Sequence, residues 1–163
     1  MTRKRSKYRP TGVNPEAFLM AFRGAHKLDT KDQLVRAVPV HDAVKSLIDC
    51  KGGEDEWRLV FDALNMIEAL AYVGPVRDAK DFIAEQAHSI IAVMDRHRET
   101  RSNVLRPAEC QLLRDLSATW AEVLAVVTCR EYFEAEQRVG RKTVQALAGG
   151  SHGSVRVLEA VSA

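Results

Sequence analysis

A chain of 163 residues has the length of one domain and can bury a sizeable core, and its 46% hydrophobic and 28% charged content is that of an ordinary globular protein. The net charge of +2 is unevenly spread: Arg3, Lys4, Arg5, Lys7 and Arg9 put +5 on residues 1–12, and the rest of the chain carries −3. The most apolar stretch, ATWAEVLAVVTC at 118–129, has 12 residues and includes Glu122, so it is too short to span a bilayer.

Residues 1–12 read as a flexible basic arm, with Pro10 and Gly12 and no apolar period. NPEAFLMAFRG follows. Asn14 suits a cap, Pro15 a first helical position and Gly24 a stop, which predicts a short helix over 15–23 with Phe18, Leu19 and Phe22 on one face. In TKDQLVRAVPVHDAVKSLI, Thr30 and Gln33 fit a capping box. Pro39 predicts a break, with a second segment from about 40 to 49, and LVRAVPV is also compatible with a strand. Gly52 and Gly53 then punctuate the chain, and Glu54, Asp55 and Glu56 favour the positive end of a new helix. Trp57, Val60, Phe61, Leu64, Ile67 and Ala71 recur at helical spacing until Gly74 and Pro75. A further helix is expected over about 76–98, with Ala79, Phe82, Ile83, Ala87, Ile90, Ile91 and Met94 as its stripe. Pro107 opens the last long helix, carried by Leu113, Leu116, Trp120, Val123, Leu124 and Val127. Its pattern weakens at VVTC, where it either bends and continues to Gly140 or runs on to Leu147. Residues 148–163 read as a Gly/Ser linker and a loose, mildly apolar tail.

The expected architecture is therefore all-α: a bundle of about four main helices over 13–147, between the basic arm and the tail. Cys50, Cys110 and Cys129 form no CxxC pair, and no apolar secretory run follows the basic start. Both observations suit a reducing cytoplasm.

A basic start ending in KYRP, a middle helix reading DALNMIEALAYVG, and LRPAECQLLRDLSATWAEVLAVVT resemble uncharacterised small helical proteins encoded by phages and plasmids of proteobacteria. The resemblance covers residues 3–135. It implies an intracellular helical accessory protein of a mobile element, and it brings no catalytic residues with it.

Catalytic chemistry has little to stand on in the sequence. Glu85 and His88 form one E-x-x-H, but a di-iron bundle needs two, plus two further glutamates. His26, His41, His97 and His152 match no zinc spacing. There is no G-x-S-x-G and no phosphate loop. The expectation is a non-enzyme without metal or cofactor. Two binding roles remain. As a protein-interaction module, hetero- or homo-oligomeric, it would use long amphipathic helices, with Tyr132 and Phe133 as surface anchors among acidic neighbours. As a nucleic-acid binder without sequence preference, it would use the arm (Arg3, Lys4, Arg5, Lys7, Tyr8, Arg9) and the cluster Arg96, Arg98, Arg101 and Arg106. The dipole of a helix C-terminus accounts equally well for that cluster.

Overall fold

The computed structural model describes residues 24–74 and 80–147. The basic arm, the short helix expected over 15–23 and the tail after 147 lie outside the described residues. Among the described residues there are five helices: α1 Thr30–Ile48, α2 Glu54–Val73, α3 Lys80–Thr100, α4 Pro107–Val126 and α5 Cys129–Leu147. Among the described residues the sole β pairing is an isolated bridge between Lys27 and Thr128. The all-α expectation holds, and the described residues contain one more helix than the four main ones anticipated.

α2 is the centre of the bundle. Its apolar residues are spaced so that Trp57, Val60, Phe61, Leu64, Ile67, Leu70 and Ala71 are all buried, and it packs against each of the other four helices. Its start is charged as the sequence suggests: the Glu56 carboxylate accepts the Gly53 N–H at 2.7 Å. Gly52 has to be glycine for a steric reason. A Cβ there would lie 2.9 Å from the Leu47 backbone nitrogen, and backbone cannot move aside cheaply.

α1 departs from expectation. Neither a break nor a strand forms at Pro39, and one helix runs unbroken from Thr30 to Ile48. Its cap is Asp29, whose carboxylate accepts the Asp32 N–H at 2.7 Å, rather than Thr30. Tertiary contacts outweigh the proline. Val40, Ala43, Val44 and Leu47 are buried, and Trp120 on α4 donates its indole N–H to the Arg36 carbonyl at 3.1 Å. Because Thr30–Ile48 is one continuous helix, this segment does not form two helices joined by a tight turn, as a helix-turn-helix requires.

α3 buries Ile83, Ala87, Ile90 and Met94, but Phe82, expected in the same stripe, is 57% exposed. Val93 faces the core instead. α4 follows its predicted pattern and stops at Val126. Val127 is extended (φ −74, ψ 143) and α5 begins afresh at Cys129. The break has a local cause. Thr128 and Glu131 form a reciprocal capping box, with the Thr128 N–H donating to Glu131 Oε2 at 2.9 Å and the Glu131 N–H to Thr128 Oγ1 at 3.2 Å. The segment before α1 completes the junction: the Gly24 and His26 carbonyls accept from the Arg130 and Cys129 N–H groups.

Candidate functional site

Of the arginine cluster only Arg96 is turned inward, and Arg98, Arg101 and Arg106 are exposed. Arg96 reaches across from α3 to Glu109 at the start of α4, its Nε donating to Oε1 at 2.8 Å and its Nη2 to Oε2. Glu109 Oε2 also accepts the Arg106 N–H at 2.7 Å, which caps α4. Burial pushes the Glu109 carboxyl up, yet the Arg106 N–H and the Arg96 guanidinium outweigh that and hold it below its ordinary value. Arg98 lies 3.6 Å from Glu54. Arg101 and Arg106 are exposed, and Arg101 closes α3 in the left-handed region, with φ 49. The second basic group, at Arg138, Arg141 and Lys142, is similarly engaged: the Arg138 guanidinium covers the Tyr72 ring at 4.3 Å, and Lys142 lies 3.7 Å from Glu68. The arm residues Arg3, Lys4, Arg5, Lys7, Tyr8 and Arg9 lie outside the described residues.

Tyr132 is not the surface anchor expected from its acidic neighbours. It is 9% exposed and lies beneath the Arg36 guanidinium, 4.5 Å from the ring centroid. Burial pushes its hydroxyl pKa up, with Arg36 opposing. The reason is the α4–α5 break. A new helix starts at Cys129 with its own phase, which turns Tyr132 and Ala135 inward and leaves Phe133 half-buried. His88 is exposed and its Nδ1 lies 2.7 Å from the Ala84 carbonyl, a bond within its own helix. Among the described residues no three His, Cys, Asp or Glu side chains are placed to share a metal ion.

The surface that stands out is on α1. Leu34, Val35 and Val38 are 55%, 61% and 47% exposed. Three branched aliphatic side chains on neighbouring turns of one helix form a continuous apolar patch rather than scattered exposure. The patch continues into a groove of about 560 Å³ between α1 and α4, lined mainly by apolar side chains. Ala37, Val38, Val44 and Ile48 come from α1, and Ala118 and Ala121 from α4. The two helices are held at this separation by the Trp120–Arg36 hydrogen bond. Polar groups enter at the margin, with His41 and Lys45 on α1, Asp49 just after its end, and Arg114 on α4.

This surface had a signal in the sequence. In LVRAVPV the residues Leu34, Val35, Ala37, Val38 and Val40 are apolar on every side of the helix, more than one buried face can hold. Reading the run as a strand or a break concealed it.

No family model matches the chain, and neither does any curated protein or solved structure. Among the described residues no helix is long and apolar enough to cross a membrane.

Proposed function

We propose that this chain is a non-catalytic accessory or regulatory protein of the cytoplasm, encoded by a phage or other mobile element, and that it works as a protein-interaction module. The observation that carries the reading is the exposed aliphatic stripe Leu34, Val35 and Val38 running into the α1–α4 groove. A helix-in-groove complex uses a surface of this kind: an apolar cleft between two rigid helices with a polar rim. On this reading the anchor is on α1, and Phe133 is a lesser candidate.

The test is capture from host lysate with immobilised wild type and with Leu34→Asp/Val38→Asp. Both positions are exposed, so the variant keeps its helical circular dichroism. The expected result is a protein retained by the wild type and lost by the variant. Equal retention by both overturns the placement on α1.

A second reading, nucleic-acid contact without sequence preference, draws on the arm and on exposed Arg101 and Arg106 at the two ends of the α3–α4 loop. A filter-binding titration with DNA and RNA is expected to show binding that weakens with salt and disappears when residues 2–9 are deleted. Binding that survives the deletion, or none at low salt, removes the arm from consideration.

A further inference from the structure

The α1–α4 groove has a direction of charge as well as an apolar floor. Two cations stand on its margin, Lys45 on α1 and Arg114 on α4, one from each wall. Neither forms a salt bridge with a described residue. Six other described cations, Arg36, Arg58, Arg96, Arg98, Arg130 and Lys142, have a carboxylate within 4 Å, whereas Lys27, Lys31, Lys51, Arg101, Arg106, Arg138 and Arg141 share the unbridged state of the groove pair, so what sets Lys45 and Arg114 apart is their place on facing walls of one apolar groove. His41 adds a third basic side chain to the lining, and Asp49 is its single acidic one.

Shape narrows the occupant further. From Leu34 to Ile48 the groove edge follows α1 for about four turns, or roughly 21 Å at 1.5 Å per residue. That length accommodates a helix of about 14 residues. Ala37 on one wall, with Ser117, Ala118 and Ala121 on the other, presents small side chains, so a third helix can approach at the usual 8–10 Å axial distance. An open trough that continues into Leu34 and Val35 suits a rod better than a small molecule, which needs enclosure to bury most of its surface.

We infer that the groove takes an amphipathic helix of a partner protein whose apolar stripe is bordered by acidic residues, these meeting Lys45 and Arg114. The inference rests on the interaction reading above and specifies the partner's chemistry. Of the chain's own segments, the basic arm and the tail are poor substitutes. The arm carries +5 and is repelled by the same two cations, and the apolar tail peptide VRVLEAVSA has one basic and one acidic side chain, Arg156 and Glu159.

Three fluorescein-labelled 15-residue helical peptides test it by anisotropy. All share one Leu/Ile stripe at helical spacing, and they differ only in the border residues: Glu, Gln or Lys. The full chain is expected to bind the Glu peptide at least ten-fold tighter than the Gln peptide, with the advantage shrinking as salt rises. The Lys peptide is expected to be weakest. Lys45→Glu/Arg114→Glu reverses the order of the Glu and Lys peptides, and Ala118→Trp, which fills the groove, abolishes binding of all three. Equal binding of the Glu and Gln peptides, lost in Ala118→Trp, overturns the acidic preference and leaves the interaction reading intact. Failure of all three to bind overturns the helical occupant, and the lysate capture then judges the interaction reading separately. A wild-type dimer in light scattering that Ala118→Trp converts to monomer assigns the groove to a second copy and overturns the foreign helix.

Discussion

Replacing Glu109 with Gln is expected to destabilise the protein by about 2–4 kcal/mol, shifted below the ~3–5 kcal/mol for breaking a fully buried ion pair, since the side chains of Arg96 and Glu109 retain 22% and 11% exposure. The size follows from three roles in one carboxylate. It accepts both donors of the Arg96 fork, it caps the first turn of α4 through the Arg106 N–H, and it fixes the α3–α4 corner. The amide can keep the cap but leaves a guanidinium half-buried without a counter-charge. Arg96→Met is expected to cost less, because Glu109 then keeps the Arg106 N–H and the methionine covers similar apolar area. Urea unfolding of the two variants measures the difference.

The same site sets a pH dependence. The Glu109 carboxyl is held below its ordinary value of 4.5 in the folded protein. A depressed folded-state value means that the stabilisation is complete above the unfolded value and is lost as pH falls through the folded one. The gap between wild type and Glu109→Gln is therefore expected to be constant near neutrality and to close below about pH 4.5. A gap that persists in acid would show that shape, and not the carboxylate charge, is what Glu109 contributes.

Pro39→Ala is expected to act in the opposite direction, stabilising the protein by about 2–3 kcal/mol. Proline in a helix interior withholds the N–H that the Val35 carbonyl would receive, and its ring crowds that carbonyl. It also disfavours helical backbone at Val38. Pro39 is exposed, so alanine removes these costs without opening a cavity. Part of the gain is offset because alanine leaves the unfolded chain freer than proline does. The measurement is the urea midpoint, which rises while the slope is unchanged. A fall in midpoint would mean that the restriction proline places on the unfolded chain outweighs its cost within α1.

The helices whose signals are local were legible in the residues themselves. α2 could be traced from its acidic first turn through Trp57 and Leu64 to Gly74, and α4 from Pro107 through Trp120. The α4–α5 break was also encoded locally, in the T-x-x-E of Thr128 and Glu131, but it was obscured by the apolar run that precedes it. The candidate surface was legible only as an excess of apolar letters between Leu34 and Val40. Which of them would remain outside could not be known from that run, because every one of them suits burial.

By itself, then, the chain determined that it is helical, where its strongest helices begin, and that its positive charge gathers at one end. These depend on periodicity, caps and composition, which act within a few residues of one another. Tertiary structure alone decided that α1 passes through Pro39, that Arg96 belongs to Glu109, that Tyr132 is covered by Arg36, and that a groove opens beside Val38. Each of these depends on residues far apart in sequence, such as the 84 positions between Arg36 and Trp120. Contacts at that separation exist only once the helices have packed, and there the burial of whole helix faces outweighs the preference of any single residue.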